Sequence, residues 1–334
     1  PFWNVANQYG KYGTIPFEGL AGLKIEGIDR SGSLISFDYG VEIYDRYGAE
    51  NAFVIHQGYA EVKTPLLTFR AGMKEERIGN QDSLLTLGGS VWSANARPMP
   101  KLVLSTPGYV DVPFTRGYVE VNGSLAHGWL EEDRYVKDVY MHQKHAHVRF
   151  GGDFWLNASL GLIHFAQWGG HSPDPDFGDL PSSLSAYKRI FFAQSGDSLS
   201  DNEHEIINKL GNHLGARNYR IDYQGDKLTV GFYFQTIFED NSGMSKEFYE
   251  DGIKGLVIRF KEREKLINQI LVEYLQTTWQ SGPIHDLSLK LKGNDKYFEH
   301  HIYRSGWSYH GMTLGTPFIT SPVYNDEGVV GMTN

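Results

Sequence analysis

Apolar and polar residues alternate one by one over long stretches of this chain. In the stretch 154–162 an apolar row is interleaved with a second row of mostly small or polar residues. A period of two is the signature of a β-strand with two unlike faces. The pattern therefore predicts a strand that meets two different surroundings. The apolar row consists of Phe154, Leu156, Ala158, Leu160 and Leu162, and the second row of Trp155, Asn157, Ser159 and Gly161.

The same alternation predicts about twelve strands along the chain. Several are close to the roughly 9–11 residues with which a tilted strand crosses a bilayer, whereas strands of ordinary globular sheets are nearer 5–6 residues. This length favours an antiparallel transmembrane β-barrel, with one apolar row of each strand facing lipid, over a soluble β-sandwich. The last predicted strand also fits one face of a helix. The predicted strands are 19–28, 35–43, 52–63, 67–73, 84–92, 119–125, 140–150, 154–162, 212–223, 227–238, 256–261 and 266–279.

Helix signals are few, and they lie between two predicted strands. Ser200 and Glu203 have the spacing of a capping box and Gly211 suits a helix end, so a helix is expected at 200–210. A second short helix is expected at 183–194. Both belong to a loop of about 45 residues after Phe165, a length that usually signals function. Long loops of outer-membrane barrels face the exterior, so we expect this loop to do so.

Composition narrows the classes of protein that fit this pattern. The chain has 334 residues, a net charge of −9 and no Lys/Arg-rich run, which argues against nucleic acid as a partner. Cysteine is absent, which excludes thiol chemistry and Cys-based metal centres. Aromatic residues make up 14% of the chain. Aromatic bands at the two membrane interfaces would use such residues, and we assign Trp92, Trp129, Trp155 and Trp279 to them.

Three short motifs resemble catalytic or metal sites, but each lacks a required part. The segment 204–208 (HEIIN) has Asn208 where a zinc-protease helix needs a second histidine. The segment 306–311 (GWSYHG) displaces one glycine of a nucleophile elbow, which argues against Ser308 as a nucleophile. Asp174, Asp176 and Asp179 lack the glutamate of a calcium loop and lie too close in sequence to flank a sugar from both sides. We therefore predict no catalytic residue, no metal site and no cofactor.

Two irregular segments combine aromatic, histidine and carboxylate side chains. One follows Phe165, and the other covers residues 300–318. Trp and Tyr rings can stack on sugar rings while Asp and His bond the hydroxyls, although the same aromatics also suit membrane interfaces. The candidate glycan contacts are Trp168, His171, Asp174, Asp176, Tyr303, Trp307 and His310.

Three long segments resemble the Wzi capsule-assembly family, in the version found in Bacteroidota. They are GGSVWSANARPMPKLVLST at 88–106, LIHFAQWGGHSPDPDFGDLPSSLSAYKRIFFAQSG at 162–196 and HHIYRSGWSYHGMTLGTPF at 300–318. The resemblance implies an outer-membrane β-barrel of about eighteen strands that acts as a lectin for capsular polysaccharide and helps to assemble the capsule. It implies no catalytic residues. Since about twelve strands are predicted here, we expect residues 1–334 to be a single barrel domain truncated at both ends.

These observations predict a protein in the outer membrane of a Gram-negative bacterium. Its expected partners are capsular or other surface polysaccharide and outer-membrane lipid, and other outer-membrane proteins stay open as further partners. Two alternatives also stay open. One is a porin-like or accessory barrel subunit of a larger outer-membrane complex, whose conducting lumen would be lined by Arg70, Glu120, Arg259 and Lys261. The other is a soluble β-sandwich glycoside hydrolase that uses the aspartates of the loop after Phe165.

Overall fold

A long antiparallel sheet dominates the computed structural model of this chain. The structure describes residues 5–13, 19–48, 52–196, 209–239, 251–262, 266–282 and 295–324. Twelve strands follow one another in chain order, each paired with its sequence neighbours, and the two-residue strand β6 pairs with β7 alone. The strands of the sheet are β1 (Gly19–Ile28), β2 (Ser36–Tyr47), β3 (Ala52–Lys63), β4 (Thr68–Met73), β5 (Lys101–Ser105), β6 (Val110–Asp111), β7 (Val119–Trp129), β8 (Tyr140–Phe150), β9 (Leu156–Trp168), β10 (Asn212–Gln224), β11 (Leu228–Thr236), β12 (Gly252–Phe260) and β13 (Gln269–Gln276).

The remaining elements lie in the connections. They are a helix α1 (Leu184–Phe191), a two-stranded hairpin of β14 (Ser308–Tyr309) and β15 (Met312–Thr313), and a 3-10 helix (Pro322–Tyr324). None of the helices in the described ranges is long and apolar enough to cross a membrane.

The two ends of the sheet differ in their connections. One end, called here the turn end, carries the described segments 29–35, 64–67, 106–118, 151–155, 225–227, 261–262 and 266–268. The opposite end, called the loop end, carries the described segments 74–100, 130–139, 169–196, 209–211 and 237–239. Gly151 and Gly152 have φ angles of 121° and 52°, which a residue with a side chain rarely adopts, and they allow the tight turn between β8 and β9. Short turns at one end and long loops at the other are typical of outer-membrane barrels.

The burial pattern of the strands is the reverse of that in a soluble protein. Large apolar side chains point outward and stay exposed, as Phe37 (61%), Phe53 (66%) and Val272 (63%) show. Charged side chains on the opposite face are buried, with Arg70 at 9% and Lys101 at 2% exposure. An apolar exterior around a polar interior is stable when lipid is the surrounding solvent. The chain is therefore a transmembrane β-barrel, and the β-sandwich alternative is wrong.

The predicted apolar row of the β9 region lies on this outer face. Leu156, Leu160 and Leu162 are exposed by 40%, 51% and 42%. Phe154 is also exposed but lies in the turn before β9, because the strand begins two residues later. The lipid-facing assignment of this row is confirmed by the fold.

Three of the four tryptophans assigned to interface bands lie near strand ends and are exposed. Trp129 ends β7 at the loop end, Trp155 precedes β9 at the turn end, and Trp279 follows β13. Trp92 is different, since it is only 6% exposed and packs inside the barrel, edge-on against Phe165. The assignment of Trp92 to an interface band was wrong because its segment folds inward instead of forming a strand.

The interior of the barrel is filled by two segments, 88–100 and 295–321, which we call the plug. Their apolar side chains join Met141, Ile163 and Phe165 from the strands in one buried cluster. The fully buried Trp307 donates its indole N–H to the carbonyl of Val91 at 2.9 Å. This contact joins two parts of the chain that are more than 200 residues apart.

A polar segment, 74–87, crosses the interior beside the plug, and we call it the strap. At one side, a Glu75 carboxylate oxygen lies 2.8 Å from Nε2 of His56 on β3. At the other, the backbone N–H of Leu87 donates to Glu273 on β13 at 2.6 Å. The strap thus ties the first strands of the sheet to the last ones, which shows that the sheet curves around it.

Helix α1 covers part of the outer face at the loop end. Ser183 caps it by accepting a hydrogen bond from the Ala186 N–H at 3.2 Å. The fully buried Ala186 and Ile190 pack on outward residues of β9, among them Ala166 and Trp168. The outward face here also carries His164, which is bonded to His213 of β10 at 2.9 Å. Exposing polar side chains to lipid costs free energy. Helix α1 lies over the part of the outer face where the outward residues are no longer all apolar, and so shields them from lipid.

The strand predictions hold for most of the sheet, with two exceptions. The stretch 84–92 is not a strand but part of the strap and plug. Asp82 turns the chain there by accepting the N–H groups of Leu84 and Leu85. Strands β5 and β6 were missed because five and two residues are short for a membrane strand. The short helix expected at 183–194 is confirmed as α1, and the one expected at 200–210 falls mainly on residues that the structure does not describe.

Candidate functional site

The two aromatic segments singled out in the sequence meet at the loop end. The hydroxyl of Tyr303 donates to the carbonyl of Gly169 at 3.2 Å, below the surface. At the surface, Nη2 of Arg304 bonds a carboxylate oxygen of Asp174 at 2.6 Å. The loop after β9 and the segment after β13 therefore form one continuous surface, although 130 residues separate the ion pair along the chain.

Three of the seven candidate residues form a buried framework for this surface. Trp307 and Tyr303 are at most 1% exposed and belong to the plug. Trp168 is 4% exposed and lies under α1, with its ring beside those of Tyr140 and Tyr187. In this arrangement protein atoms cover the three rings, so they position the loops and do not present a face to a ligand.

The loop 171–179 carries three of the other candidates, of which His171 and Asp176 are exposed and Asp174 is half-buried. Asp174 organises it, since its side chain accepts the Asp176 N–H at 3.1 Å and its carbonyl accepts two further N–H groups. Asp176 itself is exposed. Nδ1 of His171 bonds the carboxylate of Asp179 at 2.6 Å, and both side chains are largely open to water. This turn holds carboxylate and imidazole groups outward at the solvent-facing edge of the loop end, which we call the rim.

His310, the seventh candidate, lies at another part of the rim. Its Nε2 is 2.6 Å from Nη2 of Arg97, and its backbone N–H donates to Glu131 at 3.0 Å. Removal from water, followed by the positive charges of Arg97 and Arg134, lowers the pKa of the His310 imidazole to about 4. The ring is therefore neutral at pH 7, where it offers a neutral hydrogen-bonding group beside a fixed cation.

Sequence reasoning missed the arginine that joins these pieces. Arg304 pairs with Asp174 and also lies over the ring of Tyr135 at 4.8 Å from its centroid. Close by, the rings of Phe177 and His301 meet edge to face at 5.9 Å. The available signal was the placement of Arg304 directly after Tyr303 in an aromatic segment, but only the fold brings Tyr135 to it.

The described residues also show how one rejected catalytic motif and one cluster of possible metal ligands are used, whereas the segment 204–208 lies outside the described residues. Ser308 is 1% exposed and its hydroxyl donates to the Ser305 carbonyl, so it is a structural residue of the plug. Glu42, His56 and Glu75 bring three potential metal ligands within 4.8 Å of one another. However, the ammonium of Lys11 lies 2.7 Å from a carboxylate oxygen of Glu42 and of Glu75, so the site already holds a cation.

Comparison with known proteins places this architecture in a family. The family description "Capsule assembly protein Wzi" matches residues 12–320. The chain belongs to the Wzi capsule-assembly family. As a member of that family with this barrel, it resides in the outer membrane of a Gram-negative bacterium.

A solved Wzi structure has a similar fold. The Escherichia coli Wzi structure, described as a carbohydrate-binding β-barrel and an outer-membrane protein involved in group 1 capsule assembly, matches with a TM-score of 0.53 at 15% identity. The match covers 90% of this chain and 63% of the Escherichia coli protein, so this chain spans less than two thirds of that relative. An engineered Rh. blastica porin aligns more weakly, with a TM-score of 0.30 at 10% identity over 77% of this chain and 88% of the porin. No curated protein matches the chain.

Proposed function

We propose that this Wzi-family barrel binds capsular or other surface polysaccharide at the loop end and supports capsule assembly or attachment there. Binding is non-covalent, and the protein performs no catalysis. The observation that carries the proposal is the rim itself, where exposed His171, Asp176 and Arg304 and half-buried Asp174 are held on a buried aromatic framework. Mixed charged and aromatic groups on a rigid base suit a polar ligand rich in hydroxyl groups.

The family relationship supports this proposal independently of the rim. The Escherichia coli relative is described as carbohydrate-binding. His310 and Arg97 extend the rim with a neutral imidazole and a guanidinium. Outer-membrane lipid contacts the apolar exterior of the strands.

The interior argues against the porin-like alternative. The strap is anchored at both sides, and the plug fills the space beside it with a close-packed apolar cluster. Ion conduction requires a continuous aqueous path, so a purified barrel in a planar bilayer is expected to show no steady large conductance. A steady large conductance would favour the porin alternative.

The test of the proposal is binding of the purified protein, in detergent, to the capsular polysaccharide of its own host. Arg304→Ala removes a charged hydrogen-bonding group and the stacking on Tyr135, so it should weaken binding by about 10-fold or more. Arg116→Ala is the matched control, because Arg116 is an exposed arginine at the turn end. If wild type and Arg304→Ala bind the polysaccharide equally well, the polysaccharide does not bind at the rim. No binding by wild type, with capsule retained on a deletion strain, would overturn the function.

A further inference from the structure

A cavity of about 200 Å³ lies inside the barrel between the strap and the plug. Arg77, Gly79 and Ser83 on its wall are exposed, whereas Trp92, Ser93 and the neighbouring plug residues are buried. The cavity therefore has a mouth at the strap and a floor at Trp92. Drug-sized ligands occupy pockets of about 300–1,000 Å³, so this volume suits one sugar ring and not a chain segment.

Two amide side chains on the wall have unused hydrogen-bonding capacity. Oδ1 of Asn7 is a buried acceptor without a partner, while its Nδ2 donates to the Leu87 carbonyl at 2.7 Å. Nε2 of Gln81 is a buried donor without a partner. Buried polar atoms are nearly always paired, and an unpaired one indicates a water or a ligand. An acceptor and a donor together match a hydroxyl group, which can donate to one and accept from the other.

Arg77 gives the cavity a positive charge. Its guanidinium donates to the Ser83 carbonyl and bonds the side chain of Tyr9. The described residues offer Arg77 no carboxylate within ion-pair distance, and the other charged wall residue, Asp82, is already paired with Arg259. A guanidinium binds a carboxylate through two parallel hydrogen bonds and prefers it to a neutral group.

The glycine residues on the wall keep this space open. A Cβ atom at Gly79 would lie 2.3 Å from Oε1 of Gln81, and one at Gly88 would lie 2.8 Å from Oδ1 of Asn7. Both glycines also have φ angles that favour glycine, 121° and 96°. A side chain at position 79 would collide with the Gln81 amide, and one at position 88 would collide with the Asn7 amide.

We infer that this cavity is a binding site for a single hexuronic acid ring. The ring carboxylate is held by Arg77, its hydroxyls by the Asn7 and Gln81 amides, and its apolar face packs on Trp92. The choice of a sugar rests on the proposed function, whereas the acidic character rests on Arg77. The site is separate from the rim, so it would select an acidic residue or chain end of the polysaccharide.

The test measures binding of glucuronate, galacturonate, glucose and galactose to the full chain in detergent, by saturation-transfer NMR or calorimetry. Each uronate is expected to bind at least about tenfold tighter than its neutral counterpart, as one charge-assisted contact would give. Arg77→Gln should abolish this preference, and Gln81→Leu should weaken binding of uronate and neutral sugar alike. Arg30→Gln, at an exposed turn-end arginine, should behave as wild type.

The outcomes separate this inference from the proposed function. If the protein binds the polysaccharide but binds uronates and neutral sugars equally, the cavity does not select a carboxylate and the inference falls. If it binds the polysaccharide but neither kind of monosaccharide, the cavity holds only water and the inference falls as well. If glucuronate binds with the expected dependence on Arg77 but the polysaccharide does not, the proposed function falls and the cavity site stands. Heat-modifiable mobility in gel electrophoresis checks that each variant is a folded barrel, and the exposed Arg77 position keeps its variant informative if Gln81→Leu does not fold.

Discussion

Placing a charge on the outer face of the barrel tests whether lipid is its solvent. Phe232 lies in the middle of β11, is 51% exposed, and is flanked across the strands by the exposed Ile221 and Leu256. Replacing it with lysine puts an ammonium group among apolar side chains facing the bilayer centre. Lysine at that depth costs about 2–4 kcal/mol, which corresponds to about a 30- to 900-fold change in the folding equilibrium.

If this face contacted water instead, the same substitution should have little effect on stability. A surface Phe→Lys substitution in a soluble protein is worth no more than about 0.5 kcal/mol and favours solubility. The measurement is the unfolding free energy of Phe232→Lys in liposomes, by urea titration with tryptophan fluorescence. Phe232→Leu is the apolar control, and Phe114→Lys is the positional control, because Phe114 is fully exposed in a turn. If Phe232→Lys has the same free energy of unfolding as Phe232→Leu, the strand face that carries Phe232 does not contact lipid.

Three further predictions concern the interior and the outer helix. Lys101→Met should destabilise the barrel by about 1–3 kcal/mol because Glu76 loses the ammonium of Lys101 and keeps only Arg70 as a cationic partner, and adding Glu76→Gln should restore part of the loss in urea titrations. Burial alone would raise the pKa of Glu75 and of Glu76, but His56 and Lys11 beside the first, and Lys101 and Arg70 beside the second, lower both values to about 2. These carboxylates are deprotonated in the fold at a pH where the unfolded chain binds protons, so their stabilisation is complete above about pH 4.5 and is lost as the pH falls towards 2. Cleavage of the strap by an acid-active protease should rise over that interval, and a flat profile would contradict the anchoring role. Ile190→Ala should cost about 2–4 kcal/mol of α1 docking, seen as faster proteolysis near α1 without loss of the barrel, whereas exposed Leu184→Ala should have little effect.

Most strands of the sheet could be predicted from the sequence because each has one face towards lipid and the other towards the barrel interior. Where one face meets lipid and the other a polar interior, alternation is obligatory, and strands such as 19–28, 52–63 and 140–150 were predicted with the bounds that the structure has. The outward placement of Leu160 and Leu162 followed from the same rule. The alternation of residue types was weakest in the short β5, where the inward Val103 is as apolar as the outward Leu102 and Leu104, and that strand was missed.

Only the tertiary structure determined which loop residues are buried in the barrel and which stay at the surface. Trp92 and Trp307 look in the sequence like interface or ligand-binding aromatics, yet both are buried, because the segments that carry them fold into the barrel and pack there in one apolar cluster. Local periodicity carries no information about such inward folding. The same holds for Arg304, whose partners Asp174 and Tyr135 lie far away in the chain. The sequence alone therefore determined which residues face lipid, while only the fold determined which polar and aromatic residues stay exposed at the rim.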